Sequence, residues 1–189
     1  MKAAAEKTIL YGNEKQKAYN FMYELNKPYP DQIAMMYFGA RITYGKLFGT
    51  IERYAEALYE SGVREGDVVT IVLPNVPEIV YLFYALNRIG AVASLIDPRT
   101  NAEAILERAN EADSRLVFVI WDILQQKIDS ISKKLRAEQI IVVKPSDSLG
   151  LGEIHSVEGL GVSLVYALKG FHDFKKYRFE IFLSIRNSF

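Results

Sequence analysis

The 189-residue sequence contains no cysteine. That excludes disulfides, thiolate zinc sites and a cysteine nucleophile within the chain. Histidine is scarce too: His155 and His172 are the only two, both in an irregular C-terminal stretch. They have no i,i+4 spacing and no acidic cluster beside them, so neither a metal site nor a Ser–His–Asp arrangement is expected. No charge of one sign dominates, because Lys+Arg and Asp+Glu both number 23. A neutral chain offers no electrostatic footprint for nucleic acid or an anionic membrane surface. The longest apolar run, Ile79 to Leu86, falls far short of the roughly 20 residues needed to cross a bilayer. Met1-Lys2-Ala3-Ala4-Ala5-Glu6-Lys7 has no apolar h-region, so a secretory leader is not expected and the default is a soluble cytoplasmic protein.

Familiar nucleotide loops are missing as well. Gly150-Leu151-Gly152 is the nearest approach to G-x-G-x-x-G, with His155 where the third glycine belongs, and no G-x-x-x-x-G-K-[ST] occurs. Glu103, Glu107, Glu111 and Asp113 read as a cap and a solvated helix face rather than acid–base pairs.

What is present is a regular alternation of helix and strand signals in an ordinary globular composition, 50% hydrophobic and 24% charged. A chain of this length buries roughly 70% of its unfolded surface, enough for one real core. Asn13 to Lys27 reads as a helix ended by Pro28-Tyr29-Pro30, with Tyr19, Met22 and Leu25 near helical spacing. Ile33 to Phe38 and Arg41 to Thr43 read as a hairpin turning at Gly39-Ala40. Apolar runs at 68–73, 91–96, 116–120 and 140–143 start about every 24 residues, room for a strand, a short helix and two loops. Little alternation within them marks strands covered on both faces, and repeated βα units predict a parallel sheet.

The helices between carry their own punctuation. Thr43 is the expected cap of Tyr44 to Ser61, whose inner face is Leu47, Ile51, Tyr54, Ala55 and Leu58, with Gly62 closing it. Asn75 is the expected cap of Val76 to Ile89, with Pro77 and Glu78 in the first turn and Gly90 at the end. Thr100 with Glu103 reads as a capping box before Ile105, Leu106 and Ala109. Asp122 starts a further helix with Leu124, Ile128, Ile131 and Leu135 on one face. The expectation is an α/β layered domain over 1–143, with a mainly parallel sheet, followed by an irregular or helical tail over 144–189. From spacing and composition alone, its function stays open.

Four blocks then carry a resemblance. Tyr29-Pro30-Asp31-Gln32-Ile33-Ala34, followed by Ile42-Thr43-Tyr44-Gly45-Lys46-Leu47, resembles the opening of adenylate-forming (AMP-binding) enzymes. Gly62-Val63-Arg64-Glu65-Gly66-Asp67-Val68-Val69 with Leu73-Pro74-Asn75-Val76-Pro77-Glu78 is similar to their second block. Ala85 to Val92, ending in Ile96-Asp97-Pro98-Arg99, resembles the third, and Glu107 to Phe118 fits the next helix and strand. Most of these residues are also plain folding signals, so the likeness transfers function only by association.

The resemblance implies the first subdomain of the family's large N-terminal domain, cut off before the ATP-binding loop. It implies chemistry in two halves: a carboxylate attacks the α-phosphate of ATP with Mg²⁺ and pyrophosphate leaves, then a thiol such as CoA displaces AMP. The family's phosphate loop, its ribose-binding Asp and its mobile-domain lysine have no counterpart in these 189 residues. The chain alone is therefore expected to be inactive, with the remainder of the parent enzyme, a carboxylic acid and CoA as partners. One residue carries over: Arg99, directly after the Asp-Pro pair, matches an arginine that meets the nucleotide phosphates of CoA in some ligases. A fatty or aromatic acid ligase is the favoured reading, and the alternatives are a peptide-synthetase-type domain loading a carrier protein or a non-catalytic scaffold. An uncovered apolar face would favour self-association.

Overall fold

The computed structural model describes residues 17–120 and 127–143. The expected tail, with both histidines and Gly150-Leu151-Gly152, lies outside the described residues, as do Asp122 and Leu124. Helix α1 (Ala18–Asn26) leads into an antiparallel hairpin of β1 (Ile33–Tyr37) and β2 (Ala40–Thr43). Then come α2 (Tyr44–Glu60), β3 (Val68–Val72), α3 (Pro77–Ile89), β4 (Val92–Leu95), α4 (Ala102–Glu111), β5 (Leu116–Ile120), a short α5 (Asp129–Ile131) and β6 (Gln139–Val143). The last four strands form one parallel sheet in the order β4-β3-β5-β6.

Strand alternation explains how that sheet is covered. Val69, Ile71, Leu116, Phe118, Ile141 and Val143 point to one face, where they pack with α1, α2 and α3 through Tyr19, Ile51, Leu58, Leu82 and Leu86. Val72, Val117, Val119 and Ile140 point to the other, against Ile105 and Ala109 of α4 and Ile128 and Ile131 around α5. Both faces are sealed, which is why the strands read as almost unbroken apolar runs. One polar pair interrupts the second face. Thr70 of β3 and Ser114, just before β5, are buried with their hydroxyl oxygens 2.6 Å apart. Each satisfies the other, so neither leaves a dry polar group.

Several local expectations are corrected. The hairpin turns at Phe38-Gly39, not Gly39-Ala40; φ is +43° at Phe38 and +82° at Gly39. Two-residue hairpin turns of this handedness need positive φ at both central positions, and only one of them is glycine here. Helix α3 is capped by Val76, with no side-chain cap bond, not by Asn75. Pro77 is the reason: its ring presets the helical φ of the first residue and pushes Val76 into extended backbone. Helix α4 is capped by Asn101, whose Oδ1 accepts from the Ala104 N–H at 2.8 Å, so no Thr100–Glu103 box forms. The Thr100 N–H is already donated to the Asp97 carbonyl at 2.9 Å. Leu25 is 56% exposed although it shares helical spacing with the buried Tyr19. Thr43 does cap α2, accepting from the Lys46 N–H, and Gly90 closes α3 with φ +93°.

Three helices on the first face are tied by polar contacts around Tyr19. Its hydroxyl donates to Glu52 of α2, its backbone N–H donates to Asn87 of α3, and Arg88 pairs with Glu52 at 2.7 Å. Burial, then the hydrogen bond to Glu52 and the charge of that carboxylate, pushes the Tyr19 phenol well above its ordinary value. The Tyr37 phenol is also raised, first by burial and then by the charge of Glu78, which is 1% exposed in the first turn of α3.

The Thr70–Ser114 pair is open to a double-mutant test. Thr70→Val or Ser114→Ala alone strands the partner hydroxyl and should cost about 1–3 kcal/mol in urea unfolding. The double variant should recover about 1 kcal/mol of the summed loss; strict additivity would show that the two hydroxyls do not sustain each other.

Candidate functional site

In an open parallel sheet, ligands meet the carboxyl ends of the strands, where the strand order reverses. Here β3 is that point, flanked by β4 on one side and β5 on the other. The chain leaving β3 is Leu73-Pro74-Asn75, of which Asn75 is exposed. The chain leaving β4 is Ile96-Asp97-Pro98-Arg99-Thr100. Ile96 is anchored in the second core, and its N–H is donated to the Ile71 carbonyl at 3.0 Å. From that anchor Asp97 to Thr100 form a tight turn, closed by the Thr100-to-Asp97 backbone bond.

Arg99 caps this turn from within. Its Nε lies 3.0 and 3.1 Å from the two carboxylate oxygens of Asp97 and its Nη2 is 2.6 Å from Oδ2, while its backbone N–H donates to Oδ1 at 2.8 Å. The fork geometry of a guanidinium against a carboxylate makes this a well-aligned pair. The Arg99 hydrogen bonds hold the Asp97 carboxyl down to about 2, from 3.8. Arg99 nonetheless remains 90% exposed, so most of its planar fork faces solvent. It is a cation presented at a strand end, already oriented by its neighbour.

A second cation reaches the same turn. Lys127, which follows β5, donates its Nζ to the Pro98 carbonyl at 2.8 Å and to the Thr100 carbonyl at 2.7 Å. The half-buried ammonium thus ties the turn after β4 to the chain after β5, across the end of β3. Nothing in the sequence marks Lys127, because its role depends on a contact between positions 27 and 29 residues apart.

The chemistry of this set is electrostatic. Arg99 and Lys127 suit an anion such as a phosphate, and Asp97 is their internal counter-charge. Among the described residues no group of three or more His, Asp or Glu side chains is placed to hold a metal ion. Among the same residues, no helix is long and apolar enough to cross a membrane.

Comparison with known proteins fits this architecture. The model of the AMP-binding enzyme family matches residues 23–160. The acetyl-coenzyme A synthetase of Penicillium chrysogenum is 38% identical over 95 residues, covering 47% of this chain and 14% of that protein. The acetyl-coenzyme A synthetase of Bartonella henselae is 30% identical over 161 residues, covering 75% of this chain and 24% of that protein. The chain therefore spans a quarter or less of these relatives. Among solved structures, an anthranilate CoA ligase in complex with anthranoyl-AMP superposes with a TM-score of 0.64 at 20% identity, over 67% of this chain and 24% of that one. A benzoate CoA ligase from Burkholderia xenovorans LB400 gives 0.64 at 17% identity, over 70% and 28%. At such identity these structures speak for the fold alone. With the family model matched from the last turn of α1 past the end of β6, the chain belongs to the AMP-binding enzyme family, of whose N-terminal domain it forms a part.

Proposed function

We propose that this chain is the N-terminal part of an ATP-dependent acid–thiol ligase, which adenylates a carboxylic acid and then transfers the acyl group to CoA. The observation that carries the reading is the 30–38% identity to acetyl-coenzyme A synthetases over 161 and 95 residues. It favours CoA over a carrier protein as acceptor. It also moves the substrate toward a short acid such as acetate, away from the fatty or aromatic acids favoured by the block patterns. In this reading the described residues supply scaffold and one wall of a cleft, and the rest of the full-length protein brings the groups that hold ATP and Mg²⁺. The place of work is the cytoplasm, where ATP and CoA are available.

Within that scheme Arg99 is the residue of this chain that meets a CoA phosphate. Its exposure and its fork geometry support the role, with Lys127 holding the turn that presents it. A phosphate would take over from Asp97 as the partner of the guanidinium, replacing one anion with another of greater charge.

The reading is tested by acid-dependent ATP–pyrophosphate exchange. A full-length protein carrying this segment should exchange with acetate and far less with octanoate or benzoate, and the 189-residue chain alone should not exchange. Exchange by the short chain, or none by the full-length protein with any of the three acids, would overturn it. Arg99→Ala in the full-length protein should raise the KM for CoA about tenfold, equivalent to about 1.4 kcal/mol; an unchanged KM removes the phosphate role.

The turn itself gives a pH prediction. A carboxyl whose folded pKa is depressed contributes stability that is complete above its ordinary value and lost as pH falls through the folded one. The Asp97–Arg99 pairing should therefore be intact above pH 3.8 and released near pH 2. Carboxyl carbon chemical shifts should report Asp97 titrating at about 2, returning toward 3.8 in Arg99→Ala.

A further inference from the structure

An anion that takes Arg99 from Asp97 leaves that carboxylate without its partner and beside a second negative charge. Like charges in one site repel, so an abandoned Asp97 weakens the contact that displaced it. The carboxylate is not free to swing clear. Its Oδ1 also accepts from the Arg99 backbone N–H at 2.8 Å, a bond independent of the guanidinium. Lys127 is held beside it: the ammonium donates to the carbonyl of Pro98, the residue after Asp97, at 2.8 Å, and to that of Thr100 at 2.7 Å. Those bonds use two of the three N–H donors of an ammonium group. The ion pairs among the described residues leave Lys127 out. The hydrogen bonds and charge of Arg99 come first in holding the Asp97 carboxyl low, and the charge of Lys127 adds to them.

We propose that Lys127 takes over Asp97 when an anion takes Arg99: the carboxylate passes from the guanidinium to the ammonium, and two ion pairs replace one. The proposal rests on Arg99 meeting a CoA phosphate, and it adds the residue that keeps the exchange of partners balanced. Before the anion arrives, the turn holds one ion pair, Asp97 with Arg99, and one further positive charge on Lys127. Without Lys127 the set is neutral, and a phosphate gains Arg99 only by stranding Asp97. A lysine suits the part, because its flexible four-carbon stem lets the ammonium shift from a carbonyl to a carboxylate one residue away. Lys127 is thus a positioning residue that acts through Asp97 and not by touching the phosphate.

Removing the Asp97 charge separates this role from a direct phosphate contact and from a plain tie of the turn. In the full-length protein Lys127→Met, which keeps the stem and loses the charge, should raise the KM for CoA about fivefold. In an Asp97→Asn background no carboxylate is left to take over, and the same substitution should change that KM by less than about twofold. A similar rise in both backgrounds would make Lys127 a phosphate contact or a turn tie, and overturns the proposal. So does an unchanged KM with Asp97 in place. A second measurement needs no ligase activity. In the 189-residue chain Arg99→Ala imitates the moment at which the guanidinium has left Asp97. The Asp97 carboxyl should then still titrate below 3.8, and reach 3.8 only when Lys127→Met is added. Titration at 3.8 in Arg99→Ala alone overturns the hand-over. Failure of the ligase reading looks different: the full-length protein then shows no acid-dependent exchange, or a KM for CoA indifferent to Arg99→Ala, and the carboxyl titration alone decides on Lys127.

Discussion

Strand β3 is held on both edges by parallel neighbours and on both faces by helices, and the remaining elements take their positions from it. Val69 and Ile71 meet the core shared with α2 and α3, while Val72 faces the core beneath α4. A parallel pair cannot be joined by a tight turn, so each crossover must travel the length of the sheet and return as a helix. The order β4-β3-β5-β6 sends the first crossover to one side of β3 and the next back across it. That reversal sets the ends of β4 and β5 on either side of β3, and it is topology that brings Lys127 to the turn holding Asp97 and Arg99.

The turn after β4 shows how few contacts are needed to make a strand end specific. Ile96 is pinned in the core, Thr100 closes the backbone, and Asn101 starts α4 directly afterwards. Between these fixed points Arg99 has little freedom of backbone, and its side chain is oriented by Asp97 two residues away. A flexible cation would lose conformational entropy on meeting an anion; one already held in a fork geometry loses less.

Much of this was legible in the sequence because it is local. β-Branched runs at even spacing announced the parallel sheet, and Thr43, Gly62 and Gly90 marked helix ends through chemistry within four residues. The misreadings were also local, but decided by competition between neighbours. Pro77 displaced the cap from Asn75 to Val76, and the turn at Asp97–Thr100 engaged the Thr100 N–H and left capping to Asn101. What could not be read were contacts joining distant positions, such as Lys127 with Pro98 or Thr70 with Ser114. No period or cap encodes those. The candidate site was visible only at Arg99, and through family likeness rather than through any feature of its spacing.

The Lys127 contact has a mechanical side. Its ammonium grips two carbonyls of one turn from a segment that belongs to the next βα unit. The turn after β4 and the segment after β5 share no strand pairing, so this one lysine is the tie between them.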